Sequence, residues 1–128
     1  MTTNNASKDS HQRLKEILDE LTLHNPNILS ALVVSDDGLN VASGIPHPED
    51  DGIALVASDL MDMARDFTQR LEQGRLKRIL LQGEQRTTVV VNAGKRTVLF
   101  VLIPGDEKLG LVTLSIHQAA NKIASFFG

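Results

Sequence analysis

Between Ile53 and Leu71 apolar residues recur at alternating steps of four and three, at Ile53, Ala57, Leu60, Ala64, Phe67 and Leu71. On either side lie blocks whose period is two, or which are apolar throughout. A step near 3.6 specifies a helix and a step of two a strand, so one long amphipathic helix must interrupt a run of strands. Val56 and Met63 flank the stripe on one side and Ala54 and Met61 on the other, which widens the apolar arc to about half the circumference. Glu49, Asp50 and Asp51 suit the positive end of this helix as a solvated, dipole-matched start, and Gly74 predicts its end. About 25 residues would then span roughly 37 Å, against about 26 Å for an eight-residue strand. Such a helix overhangs its sheet, and Val56, Met61 and Met63 are expected at the exposed margin of the core. Self-association through this helix follows as an expectation.

The strands fall on both sides of it. Ile28 to Val34 and Leu39 to Ser43 flank Asp36-Asp37-Gly38, a hairpin signature. Downstream, Leu76 to Gln82, Arg86 to Val91 and Arg96 to Ile103 read as three strands, the last two joined by the turn Asn92-Ala93-Gly94-Lys95. Val98 to Ile103 has no polar face, as a central strand covered on both sides requires. Leu14, Ile17, Leu18 and Leu21 mark a first helix over Ser10 to His24, with Asp9 as its cap and Asn25-Pro26 as its stop. Residues 1–9 are expected to be a disordered tail. Leu109, Val112, Ile116, Ala119, Ala120, Ile123 and Phe127 define a last helix, with Asp106 as its expected cap. The fold expected is α/β of the α+β type. It is a three-layer sandwich, with a five-stranded antiparallel sheet, the long helix on one face and two terminal helices on the other, in a single domain over residues 10–128.

Composition removes several functions. The 128-residue chain has no Cys, Trp or Tyr, so thiol chemistry, disulfides and thiolate metal sites are excluded. Phe67, Phe100, Phe126 and Phe127 lie in apolar runs and read as core rather than as base-stacking platforms. A net charge of -3 lacks the basic footprint of a phosphate binder, so no nucleic-acid partner is expected. No apolar run approaches the roughly 18 residues of a membrane span, and the amino terminus is not a signal peptide, so a cytoplasmic location is expected. Asn92 to Thr97 superficially suggests a phosphate-binding loop, but Val89 stands where the first Gly is needed and the segment joins two strands. His47, Glu49, Asp50 and Asp51 match no metal-ligand spacing, and His11, His24 and His117 have no triad-like partners. No enzyme activity, metal or cofactor is expected. Arg75, Lys77, Arg78 and Arg86 around the third strand read as edge gatekeepers. A small-ligand sensor is the alternative, with Ser30, Thr88 and Thr97 as the few polar strand residues available to a pocket.

The order of motifs resembles the roadblock family, which includes roadblock-type dynein light chains and bacterial MglB-like proteins. The resemblance rests on Ala31 to Leu39, on Ala42-Ser43, on Ile53 to Ala57, on Leu76 to Ile79 and on Leu109 to Val112, and covers residues 10 to 127. Lys108 departs from the pattern, since many relatives carry Asn there. The resemblance implies a longin- or profilin-like sheet and a homodimer whose third strands pair edge to edge while the long helices pack together. Val56, Met61, Met63, Arg78 and Leu80 would then lie in the dimer interface. It further implies a scaffold or regulator of a Ras-like small GTPase of the MglA type, with activation of GTP hydrolysis as a possible role. The partner surface would include Asp59, Asp62, Asp66, Gln69 and Arg70, which project away from the apolar arc.

Overall fold

A computed structural model describes the backbone of residues 2–127 and the side chains of residues 10–127. In chain order the elements are α1 (Thr2–His24), β1 (Ser30–Ser35), β2 (Asn40–Ser43), α2 (Asp50–Arg70), β3 (Arg78–Gln82), β4 (Arg86–Asn92), β5 (Thr97–Pro104) and α3 (Leu109–Phe127). The backbone of α1 starts at Thr2, ahead of the expected Ser10, so Asp9 falls inside its span. The expected tail, residues 1–9, lies outside the residues whose side chains are described.

The strands form one antiparallel sheet in the order β2-β1-β5-β4-β3. β5 is central, paired with β1 from Ser30↔Leu102 to Ser35↔Thr97 and with β4 from Arg86↔Pro104 to Asn92↔Val98. The wholly apolar run Val98 to Ile103 is needed there, because both of its faces are covered. Gly38 makes the β1–β2 turn at φ +84°, where an added Cβ would stand 2.9 Å from Leu55 Cδ2. The positive φ is what favours glycine there, since the Leu55 side chain could shift to admit a Cβ.

Two cores lie on opposite faces of the sheet. On one, Leu14, Leu18 and Leu21 of α1 and Val112, Ile116 and Ile123 of α3 pack on Ala31, Val33, Val89, Val91, Leu99 and Val101. On the other, Ala54 and Met61 of α2 pack on Leu32, Val34, Val90 and Val98. This is the expected three-layer α+β sandwich. The aromatic residues depart from expectation: Phe100 is half-buried, whereas Phe67, Phe126 and Phe127 are exposed. Among the described residues, no helix is long and apolar enough to cross a membrane.

Helix ends differ from the reading of the sequence. α2 has 21 residues and stops at Arg70 rather than at Gly74. Glu72 turns left-handed at φ 53°, its N–H bonding the Gln69 carbonyl while Gln73 N–H bonds that of Thr68. This closing pattern satisfies the last carbonyls before Gly74 is reached. At about 31 Å the helix still exceeds an eight-residue strand. α3 begins at Leu109 with Val112 N–H directed at the Lys108 carbonyl, so Asp106 stands in the preceding turn and is not its cap.

Candidate functional site

The side of α2 that faces the sheet is not the centre of its apolar arc. The buried line is Asp50, Ala54, Ala57 and Met61. At 100° per residue its mean direction lies about 70° from that of the stripe Ile53 to Leu71. Ala54 and Ala57 explain the rotation, since small side chains in the seam let the helix lie close to the sheet. Met61, expected at the exposed margin and in the dimer interface, is therefore core at 2% exposure. The same rotation turns the larger side chains outward. Val56 is 67%, Met63 69% and Phe67 65% exposed, with Ile53 and Leu60 half-buried beside them.

This ridge overlooks an unfilled part of the sheet. β3 is an edge strand, paired only with β4, and four of its five residues are exposed. Its two leucines point to opposite faces. Leu81 faces the α2 side, where a groove of about 480 Å³ runs between Ile53, Val56 and Leu60 of the helix and Leu81, Thr88 and Phe100 of the sheet. Arg78 and Leu80 face the other side, lining a cavity of about 560 Å³ with Leu109, Thr113, Leu114 and His117 of α3. Val56 thus lines the groove on one side of the β3 edge and Arg78 and Leu80 the cavity on the other, while Met63 is exposed on α2. Leu81 lines the groove with Val56 and was not singled out in the sequence, and Phe67, read there as core, is exposed. Two adjacent leucines in a strand were the available signal, since they cannot share a face.

Asp59, Asp62, Asp66, Gln69 and Arg70 are all exposed, on the side of α2 away from the sheet. Asp62 lies 3.7 Å from Arg65 and Asp66 2.9 Å from Arg70. Exposed pairs of this kind contribute little to stability, so the face is free to serve another purpose. Asp50 differs from its expected solvated role: it is 5% exposed, its Oδ2 accepting the Ser43 hydroxyl at 2.9 Å and the His47 N–H at 3.0 Å. Those bonds fix the β2–α2 loop and thereby the start of the helix.

A polar cavity of about 710 Å³ lies beyond the end of α2, where Arg65, Arg75 and Lys95 gather around Asn92 and Gly94. Arg65 donates to Asn92 Oδ1 at 3.3 Å, and Asn92 donates to the Leu76 carbonyl at 2.9 Å. Among the described residues, no three His, Asp or Glu side chains converge on a metal position. Of the polar strand residues considered for a ligand pocket, Thr88 lines the groove under α2 while Thr97 is buried and bonded to the Ala93 carbonyl. They do not form one site.

His117 and Arg78, far apart in sequence, meet at 3.1 Å between Nε2 and a guanidinium nitrogen. Arginine only donates, so Nε2 accepts and the ring is neutral. Burial, and then the Arg78 charge, lower the His117 pKa from its ordinary 6.5. A folded-state pKa below the unfolded one contributes stability that is present above pH 6.5 and lost as pH falls through the folded value. Unfolding free energy is therefore expected to fall between pH 7.5 and 5, and His117→Gln to flatten that profile. Denaturant titrations of both proteins across this range check it, and parallel profiles would contradict it.

The Roadblock/LC7 domain family matches residues 14–103. The uncharacterized protein MJ0310 of Methanocaldococcus jannaschii is 32% identical over 101 residues, covering 78% of this chain and 88% of that protein. Among solved structures, the gliding protein MglB from Thermus thermophilus superposes with a TM-score of 0.79 at 21% identity, over 91% of this chain and 90% of that one. Acanthamoeba castellanii profilin IA shares the fold more distantly, with a TM-score of 0.63 at 9% identity, over 89% of this chain and 98% of that one.

Proposed function

The chain belongs to the Roadblock/LC7 domain family, and from that premise we propose that it acts in the cytoplasm as a non-catalytic homodimeric regulator or scaffold of a Ras-like small GTPase. One observation carries the dimer. The exposed ridge Val56, Met63 and Phe67 stands beside an edge strand with apolar side chains exposed on both faces. Large apolar surface of this kind, next to unpaired strand edges, favours a partner that covers both together. A second copy does so by placing β3 against β3 and α2 against α2, because a two-fold interface uses the same patch twice. Light scattering at tens of micromolar is expected to give twice the 14.0 kDa chain mass, and a monomer there would overturn the dimer.

The GTPase part follows from family membership and from what a dimer leaves free. Asp59, Asp62, Asp66, Gln69 and Arg70 lie outside the ridge and stay available to a partner. Co-purification from the native host, followed by GTP-hydrolysis assays on any small GTPase recovered, tests binding and activation separately. Asp62→Lys with Asp66→Lys is expected to leave the dimer intact and to weaken GTPase binding by about tenfold, more at low salt than at high. Unchanged binding by that variant would move the docking surface elsewhere.

A further inference from the structure

The polar cavity of about 710 Å³ beyond the end of α2 is walled by three separate pieces of chain: the last turns of α2, the connection from α2 to β3, and the turn between β4 and β5. Each piece brings a cation. Arg65 comes from the helix, Arg75 from the connection and Lys95 from the turn, with Glu72 as the acidic lining residue. This local excess of positive charge runs against a net charge of -3 for the whole chain. Arg65 is half-buried and already held in place. It donates to Asn92 Oδ1 at 3.3 Å and lies 3.7 Å from Asp62, and Asn92 is itself fixed by its bond to the Leu76 carbonyl at 2.9 Å. A guanidinium carries five donors, so Arg65 keeps donors to spare while its direction is set. Arg75 and Lys95 differ: among the described residues, neither side chain has an ion pair or hydrogen bond within the protomer.

The backbone beside these cations is unspent as well. Gly74 and Gly94 line the cavity with φ of +85° and +115°, and a Cβ added at Gly74 would meet nothing within 4 Å. A rim without side chains lets a ligand come close to the main chain. Among the described residues, the N–H groups of Gly74, Arg75, Gly94 and Lys95 donate to no group of the protein. Free amides next to a guanidinium and an ammonium add partial charges of the same sign to the formal ones. The volume lies within the roughly 300–1,000 Å³ of small-molecule sites. Arginine matches phosphate with a planar fork and lysine with a point charge, so this lining is suited to phosphate oxygens. Cations from three separate elements suit a ligand with more than one such group. The Asn92–Lys95 turn joins two strands and is no phosphate-binding loop by itself, but here it forms one wall of three.

We propose that this cavity binds a small ligand carrying two or more phosphate groups, with Arg65 as the fixed anchor and Arg75 and Lys95 as the charges that close on it. The site lies within one protomer and does not depend on the dimer. A soluble diphosphate and a phosphorylated lipid headgroup share this chemistry, so the probes are inorganic pyrophosphate, ADP, and phosphatidylcholine vesicles with and without a phosphoinositide bisphosphate. Calorimetric titration of the full chain at about 0.15 M salt is expected to show saturable binding with a Kd below about 1 mM. Arg75→Glu with Lys95→Glu is expected to weaken it at least tenfold, on the order that loss of paired charges gives. Both residues are exposed, so the fold should survive, and circular dichroism checks that it does. Arg86→Glu with Lys108→Glu makes the same change in net charge away from the cavity and is expected to leave affinity within about twofold. Arg65→Lys keeps the charge but loses the fork, and is expected to weaken binding by about threefold or more. Binding to the phosphoinositide vesicles alone, lost in the Arg75 and Lys95 variant, would uphold the site and assign its phosphates to a lipid. No binding of any phosphate probe, or equal loss in the two double variants, would overturn the proposal. So would binding of a polyglutamate peptide with none of the phosphate probes, which would place an acidic protein segment there instead.

Discussion

Replacing Val56 and Met63 together by glutamate is expected to dissociate the proposed dimer without unfolding the protomer. Both side chains are about two-thirds exposed in the single copy, so the folded chain tolerates charge at either position. In the proposed dimer, pairing of the α2 helices would remove both from water in each of two subunits. If each buried side chain contributes about 1 kcal/mol, the four together contribute about 4 kcal/mol, which corresponds to about a 10³-fold change in dissociation constant. Carboxylates placed across a two-fold seam also repel their own symmetry mates. Sedimentation equilibrium should show a monomer at concentrations where the parent is dimeric, and the far-ultraviolet circular dichroism spectrum should be unchanged. A dimer that persisted would exclude this ridge from the interface.

Met61 is expected to behave in the opposite way. It lies two residues from Met63 and belongs to the same apolar arc, yet it is 2% exposed and packed among Ala54, Leu32, Val34, Val90 and Val98. Met61→Ala removes buried atoms and leaves a cavity that the sheet cannot fill, at a cost of about 2–5 kcal/mol. In a domain of this size that lowers the melting temperature by about 10 °C or more. The loss arises inside the protomer, so it should not depend on protein concentration. Met63→Ala should instead lower apparent stability only in proportion to the dimer it weakens, an effect that varies with concentration. Calorimetry of both variants at two concentrations separates the cases, and matched behaviour would contradict the burial difference.

These two methionines also mark what periodicity conveyed and what it did not. The switch from a step of 3.6 to a step of two was enough to place α2 between a hairpin and a meander, and Asp37-Gly38 located the hairpin turn because φ there is positive. Which part of a half-circumference arc faces inward was not legible. Hydrophobicity ranks Phe67 and Leu71 above Ala54 and Ala57, but closeness to the sheet selects the alanines, and that closeness exists only once the sheet is assembled. Gly74 misled for a related reason, since Glu72 adopts the left-handed conformation first. Asp50 could be read as a carboxylate at a positive helix end, but not as the acceptor that holds Ser43 and His47, because the loop between them must first fold back. The Arg78–His117 contact joins β3 to α3 and has no local spacing to announce it. For the open edge, the paired leucines at 80 and 81 were legible as strand, while their joint exposure followed from each helical layer leaving an open groove or cavity beside β3.

The edge strand that the helical layers cover least has a further consequence, for the lifetime of the protein rather than its shape. Backbone groups that lack a partner strand open first, so in an isolated copy the amides on the unpaired side of β3 should exchange with solvent faster than those of the central strand β5. They become protected only when another strand arrives. In the proposed dimer, assembly would thus cover the open side of β3, and a copy without a mate would present a short apolar edge of the kind that proteases cut and misfolded chains adopt as a template. Cellular abundance would in this way be tied to self-encounter: copies that pair persist, and copies left single are cleared.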